Sequence, residues 1–336
     1  MARPLLLTVE YPPDKGGVGR YLESIVKEIS GTEVIRPKFF KFFWPRWLKS
    51  LLIPFRAKPN KLWISHILPL GYVSLVYKML TGTPYTIFVH GTDLKFANKN
   101  WWKRFWAGII LNQADQIIAN SQYTLSLVER LKIKNSKLKI IYPCPTLDPS
   151  ATIGHKKLFS ILSVGRLVPR KGYDQGIKAI VELKKSFPNL SYTIIGNGRE
   201  QEKLEDLIIK NNANAYIQII ADATDETLKQ YYAQSEILLA PGVEIKGDVE
   251  GFGLVILEAA QFGTTAIATN VGGVGEAVKD GETGILLIDN STGNIIEAVN
   301  KLLKNDELRR QMGRNAKQRV EREFSMKKQI SKITNF

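Results

Sequence analysis

Two carboxylates in residues 241–262, PGVEIKGDVEGFGLVILEAAQF, sit where apolar packing alone would not put them. Leu254, Val255, Ile256, Leu257, Ala259 and Ala260 have the pattern of a buried helix, and Glu258 interrupts it. A desolvated carboxylate without partners is costly, so donors are expected around it. Glu250, with seven residues between it and Glu258, lies in a loop that also holds Gly247, Gly251 and Gly253. One carboxylate is then ahead of the helix and the other inside it, and both can face a ligand at the helix N-terminus. The unpaired N–H groups and positive partial charge of that end suit phosphate, while carboxylates suit sugar hydroxyls. Together they describe a nucleotide-sugar site. The plainer alternative is a buried glutamate that caps a neighbouring turn, and this stretch alone does not choose between them.

A second set of groups would handle a departing pyrophosphate. The strand pattern at 160–164 runs into Gly165-Arg166 and, with four residues between, Lys171-Gly172. Arg166 can fork onto phosphate oxygens and Lys171 can add a point charge. Near the N-terminus, a strand at 5–9 and a Pro-containing loop precede Gly16-Gly17-Val18-Gly19 and a helical pattern, Tyr21, Leu22, Ile25, Val26, Ile29. Gly16 and Gly17 there allow close approach of backbone to phosphate. As a dinucleotide fingerprint the run is poor, because its third glycine is absent and the loop is long, which argues against a nicotinamide cofactor. His90 ends the strand pattern at 85–89 and is followed by Gly91-Thr92-Asp93, the place where open α/β sheets bind ligands, although a lone histidine is most often structural.

These groups need a scaffold of alternating strands and helices. Further strand patterns fall at 62–66, 115–119 and 139–142, then at 192–195, 216–220, 237–240 and 265–268, separated by helical patterns as parallel sheets require. Residues 143–149, PCPTLDP, break all periodicity and read as a linker between two domains, 1–150 and 151–323. With 336 residues and 44% hydrophobic content, two cores can be buried. The single cysteine, Cys144, allows no disulfide within the chain and favours a reducing compartment. No apolar run is long enough to span a bilayer, and the run at 5–9 is too short for a signal peptide's core.

The formal charge of +15 is uneven: residues 1–150 hold 22 Lys/Arg against 9 Asp/Glu, and residues 151–336 hold 25 against 23. The first half therefore suits an anionic partner. Residues 38–56, KFFKFFWPRWLKSLLIPFR, interleave aromatics and cations without an acid, so Lys38, Lys41, Trp44, Arg46, Trp47 and Lys49 are expected at an anionic membrane surface. For a second cluster, residues 101–106 (WWKRFW), a buried core with a basic rim comes ahead of the interfacial reading.

Taken in order, YPPDKGGVGRYLESI, HGTD, IANSQYT, SVGRLVPRKG, IIGNGR, APG, EGFGLVILEA and ATNVGGVGEAVKDGETGILL resemble the retaining family 4 glycosyltransferases from end to end. The resemblance implies the α/β GT-B fold, two Rossmann-like domains with parallel sheets facing a central cleft, and a last helix, 324–336, that crosses back onto the first. It implies that Arg166 and Lys171 bind the diphosphate, Glu258 the ribose, and Glu250 a hydroxyl of the transferred sugar. Phe252, Gly253 and Leu254 would offer backbone N–H groups, Gly16 and Gly17 would close over the phosphates, and His90 would contact the sugar near the reacting carbon. No metal or other cofactor is expected, since the sequence has no Asp-x-Asp. Where family members often carry Asn-Gly after the last strand of the first domain, this chain has Pro143-Cys144-Pro145-Thr146. The insertion at 243–249 resembles a subset that includes mannosyltransferases acting on lipids.

The expected activity is transfer of a hexose, with retention, from GDP-mannose or a UDP-sugar to a lipid-linked or glycolipid acceptor. The enzyme would be cytoplasmic and peripheral to the inner face of the cell membrane. Two other classes compete. A nucleic-acid-binding protein fits the sequence pI of 9.6 but leaves Arg166, Lys171, Glu250 and Glu258 unexplained. A nicotinamide oxidoreductase is opposed by the degenerate glycine run.

Overall fold

The computed structural model describes residues 4–13, 16–29, 31–39, 45–131, 133, 138–149 and 155–331. The chain divides into two compact units, Met1–Pro143 with Met326–Phe336, and Cys144–Ser325.

In the first unit the order is β1 (Pro4–Leu7), α1 (Gly17–Glu28), β2 (Glu33–Ile35), a 3₁₀ turn at Arg46–Leu51, α2 (Leu52–Ala57), β3 (Lys61–Ser65), α3 (Leu70–Thr81), β4 (Tyr85–Val89), α4 (Thr92–Ala97), α5 (Trp101–Gln113), β5 (Gln116–Ala119), α6 (Gln122–Glu129) and β6 (Leu138–Ile140). Its six strands pair in parallel in the order β2-β1-β3-β4-β5-β6. Every residue of β1, β4 and β5 is buried, as a sheet covered by helices on both faces demands. Leu5, Ile64, Val73, Ile87 and Ile110 pack on one side. Leu6, Tyr21, Trp63, Phe88 and Ile118 pack on the other.

The second unit runs β7 (Ser160–Val164), a 3₁₀ turn at Pro169–Lys171, α7 (Tyr173–Leu183), β8 (Ser191–Ile195), α8 (Gln201–Lys210), β9 (Ile217–Ile220), α9 (Asp225–Gln234), β10 (Ile237–Ala240), α10 (Leu254–Gln261), β11 (Thr265–Thr269), α11 (Val274–Ala277), β12 (Gly284–Leu287), α12 (Thr292–Lys304) and α13 (Asp306–Glu323). Its parallel order is β12-β11-β10-β7-β8-β9. Strand order reverses between β1 and β3 in one sheet and between β7 and β10 in the other, and such reversals open a crevice at the strands' C-terminal ends. A last helix, α14 (Met326–Ile330), belongs to the first unit, where Ile330 joins the core and the Tyr142 N–H donates to Gln329 Oε1 at 3.2 Å.

Several local expectations change. β1 ends at Leu7 because Thr8 turns the chain: its Oγ1 donates to the Glu10 carbonyl at 2.9 Å and accepts the Glu10 N–H at 3.2 Å. β2 has no apolar run to announce it; it is a three-residue edge strand, half exposed. Trp47, expected at a membrane surface, instead packs inward against the core and stacks on Tyr72 at 5.2 Å. Lys38, Arg46 and Lys49 are exposed, and Lys41 and Trp44 lie outside the described residues. In the second aromatic cluster the preference for a buried core holds for Trp106, which packs against the core, and fails for the other rings. Trp101 is 76%, Trp102 49% and Phe105 54% exposed, because α5 buries Ala107, Ile110 and Leu111 instead. Among the described residues no helix is long and apolar enough to cross a membrane.

Candidate active site

β7 and β10 are neighbours at the reversal of the second sheet, so the loops that leave their C-terminal ends lie side by side. The backbone stitches these loops together. The Val243 N–H donates to the Arg170 carbonyl at 2.8 Å, and from the loop after β12 the side chain of Asn290 adds a bond, Nδ2 to the Pro241 carbonyl at 3.2 Å. Gly172 has φ +63, and a Cβ there would lie 2.0 Å from the Pro241 oxygen, so only glycine permits the approach. A third loop, after β11, supports the second from behind: the Gly273 N–H donates to the Glu250 carbonyl at 3.0 Å. Gly272, at φ +60, would put a Cβ 2.0 Å from the same oxygen.

This stitching delivers a carboxylate to two cations. Lys171 Nζ lies 2.7 Å from Glu250 Oε2, and the Arg170 guanidinium pairs with the same oxygen through Nη1. Arg170 Nε is also 3.1 Å from Asp248 Oδ1. All three members of the central cluster are largely buried, with side chains 8% (Arg170), 16% (Lys171) and 20% (Glu250) exposed. Burial alone would raise the Glu250 carboxyl, but Lys171 and Arg170 outweigh it and hold its pKa at about 2. Burial pulls the Lys171 ammonium below the ordinary lysine value despite that carboxylate, and the charge of Arg166 acts in the same direction. Arg166 itself is exposed and makes no ion pair among the described residues. Glu250 Oε1 makes no hydrogen bond there either, so one carboxylate oxygen is clamped and the other is not.

Gly253 caps α10 in the left-handed region, φ +92, and the first intrahelical bond is the Ile256 N–H to the Gly253 carbonyl at 2.9 Å. The N–H groups of Gly253, Leu254 and Val255 precede it and have no intrahelical acceptor. Phe252 is buried, its ring 5.8 Å from that of Phe324. Glu258, one turn into the helix, is 2% exposed, and its Oε2 accepts the Tyr232 hydroxyl of α9 at 2.9 Å. Glu250 is thus paired with two cations, and Glu258 accepts a tyrosine hydroxyl.

In the first unit, Gly16 caps α1 with an extended backbone and Gly17 is the first helical residue. β3 and β4, side by side, end at Ser65 and Val89 and so bring Ser65, His66 and His90 together. Ser65 Oγ is 2.9 Å from His90 Nε2 and 3.0 Å from His66 Nδ1. His90 is 5% exposed and its buried Nδ1 has no partner among the described residues. Burial, and then His66, push the His90 pKa well below the ordinary histidine value. The His90 N–H donates to Asp93 Oδ1 at 2.9 Å, while Asp93 Oδ2 is buried without a partner among the described residues. Burial raises the Asp93 pKa. His66 adopts φ +74, a conformation that non-glycine residues reach only at a cost and that is enriched where function fixes it.

The family described as Glycosyl transferases group 1 matches residues 150–319, and that described as Glycosyltransferase Family 4 matches residues 7–147. The chain belongs to the family 4 glycosyltransferases. Its relatives include an uncharacterized glycosyltransferase of Methanocaldococcus jannaschii, 28% identical over 77% of this chain and 70% of that one. Another is a GDP-mannose-dependent alpha-(1-6)-phosphatidylinositol monomannoside mannosyltransferase of Mycolicibacterium smegmatis, 24% identical over 89% of this chain and 88% of that one. The solved structure of Anabaena HepE in complex with UDP and glucose superposes with a TM-score of 0.82 at 16% identity, covering 99% of this chain and 98% of that one. At that identity the likeness speaks for the fold, which is GT-B.

In this glycosyltransferase three groups of the site escaped the sequence reading. Arg170 carried a signal, since it stands next to Lys171 in PRKG, but only the contact with Glu250 separates it from a solvated cation. Ser65 and His66 were absorbed into a strand pattern, and the pairing of β3 with β4 is what places them beside His90. Tyr232 had no local signal at all.

Proposed function

We propose that this glycosyltransferase moves a hexose, with retention, from GDP-mannose or a UDP-sugar to a lipid-linked acceptor, without a metal ion. What carries the reading is the meeting of Arg170, Lys171 and Glu250 beside the start of α10. Lys171 and Arg166, with the N–H groups of Gly253 and Leu254, take the negative charge of the diphosphate. Glu250, held in place through Oε2, offers Oε1 to a hydroxyl of the sugar. Glu258, placed one turn into α10, takes the ribose hydroxyls. The bond from the anomeric carbon to the diphosphate oxygen breaks with its electron pair going to the diphosphate. The acceptor oxygen then bonds to that carbon from the same face, and its proton passes to a diphosphate oxygen. No residue is assigned as a covalent nucleophile, so the double displacement of retaining glycosidases is not invoked. In the first unit, Gly16 and Gly17 are assigned to the phosphates of the donor and His90 to the transferred sugar near the reacting carbon.

The enzyme is read as cytoplasmic and peripheral to the anionic inner face of the cell membrane, supported by the 22 cations against 9 acids of residues 1–150. The donor is tested by thermal unfolding with UDP, GDP, ADP and their sugars. The true nucleotide at 100 times its Kd adds roughly 2.7 kcal/mol, and a panel with no response overturns the donor assignment. Retention is read from the anomeric configuration of the product by NMR. Unchanged turnover in EDTA is expected, and a loss restored by Mg²⁺ alone overturns the metal-free reading.

A further inference from the structure

An amphipathic helix on a soluble surface turns charged or polar residues outward. α5 does not. Its buried stripe is Ala107, Ile110 and Leu111, and its outward stripe begins with Trp101 and Phe105, one turn apart, with Trp102 beside them. An aromatic ladder ties this end of the helix to its neighbours: Trp47 stacks on Tyr72, Tyr72 meets Trp106 at 5.6 Å, Trp106 meets Trp102 at 5.8 Å, and Trp102 meets Trp101 at 5.6 Å. Exposure rises along it, from half-buried Trp47 and Trp106 to 76% at Trp101. Phe96 of α4, 46% exposed, carries the Lys103 ammonium 3.4 Å from its ring centroid.

The charge around these rings is one-sided. Residues 45–113 hold ten Lys/Arg and one acid, and that acid, Asp93, is buried. Lys99 and Arg104 flank the tryptophans and are exposed. Exposed indoles rimmed by cations match the head-group region of a bilayer, where the ring is half apolar and half wet and the cations meet anionic lipid.

We propose that the N-terminal end of α5, through Trp101, Trp102 and Phe105, is the part of this protein that inserts into an anionic membrane surface, with Lys99 and Arg104 at the phosphate level. This deepens the peripheral-membrane reading under Proposed function and moves its centre from residues 38–56 to α5. Binding combines insertion, which salt does not weaken, with attraction, which it does.

The test is flotation of the full chain with vesicles of phosphatidylcholine alone or mixed with phosphatidylglycerol, together with quenching of tryptophan fluorescence by brominated acyl chains. Wild type is expected to bind only the mixed vesicles and to be quenched. Trp101→Ser/Trp102→Ser/Phe105→Ser is expected to lower the partition coefficient at least about tenfold and to abolish quenching, with an unchanged circular dichroism spectrum. Lys99→Glu/Arg104→Glu is expected to lose binding most at low salt. Wild-type binding by the aromatic variant overturns the proposal. So does a wild-type dimer in sedimentation that the aromatic variant dissolves, or tight binding of single-stranded RNA at physiological salt without vesicle binding. Neither donor nor acceptor is present, so the outcome is separable from the transferase reading. Sugar transfer in detergent without vesicle binding sinks only the membrane face, and vesicle binding without transfer to any lipid acceptor sinks only the activity.

Discussion

Replacing Glu250 by glutamine removes one negative charge from between two buried cations, and it separates two things that a single residue does here. Wild-type Glu250 has its pKa lowered from 4.5 to about 2 by Lys171 and Arg170 against the opposing effect of burial. That shift corresponds to about 3 kcal/mol of preference for the ionised form in the folded state. The stabilisation is fully present above pH 4.5, the unfolded value, and is lost as pH falls through that of the folded state. Glu250→Gln should therefore unfold at a lower temperature at pH 7, by roughly 6–12 °C for a unit of this size. The gap between variant and wild type should narrow as the pH is lowered from 4.5 toward 3. Differential scanning calorimetry at a series of pH values reads both.

The same substitution bears on ligand binding with the opposite sign. In the free protein Lys171 faces Glu250 Oε2 at 2.7 Å, and Arg170 shares that oxygen. Without the carboxylate, both cations are released to a diphosphate. Bare UDP or GDP should thus bind Glu250→Gln at least as tightly as wild type, whereas turnover of the nucleotide sugar should fall by on the order of 100-fold as the sugar's hydroxyl partner is lost. Isothermal titration alongside a turnover assay decides it. If Glu250→Gln lost nucleotide affinity in step with turnover, or if its melting temperature matched wild type at neutral pH, the clamp described here would not be what holds this site.

Other expectations are simpler. Glu258→Gln should weaken nucleoside diphosphate binding without the sugar, and Tyr232→Phe should cost about 1.5–3 kcal/mol of folding free energy because it removes one donor from a buried carboxylate; calorimetry checks both. Arg166→Ala and Lys171→Ala should each lower kcat/KM by on the order of 100- to 1000-fold, and wild-type rates in either would remove that residue from diphosphate stabilisation. Because His90 is buried with its pKa below 6.5, the unfolded chain binds a proton that the folded one does not as pH drops through 6.5, so stability should fall there. His90→Gln should flatten that part of the melting profile, and an equal slope in both proteins would mean that another group titrates.

Much of the strand placement could be read from the chain because parallel strands buried on both faces leave continuous apolar runs: Tyr85–Val89, Ser160–Val164 and Ile237–Ala240 fall on their expected limits. β2, short and half exposed, leaves no such trace. The site divides in the same way. Glu250 and Glu258 stand out because a carboxylate among apolar or glycine residues is locally improbable, and Lys171 because a glycine follows it. Their partners do not. Arg170 and Tyr232 act across 80 and 26 residues of sequence, and nothing local distinguishes an arginine or tyrosine that will meet a buried carboxylate from one that will face water.

The aromatic segments show the opposite failure, where local composition misleads. Residues 38–56 and 101–106 have the same mixture of rings and cations, yet Trp47 turns into the core while Trp101 is 76% exposed. Helix register makes the difference. With Ala107, Ile110 and Leu111 committed to the core, 3.6 residues per turn carry Trp101 and Phe105 to the far side of α5 whatever their hydrophobicity. Composition sets how much apolar surface a segment has to hide, but the register of the buried stripe decides which rings are hidden. Where that register leaves tryptophans outside, beside cations and in a stretch, 45–113, whose one acid is buried, the surface is shaped for something other than water.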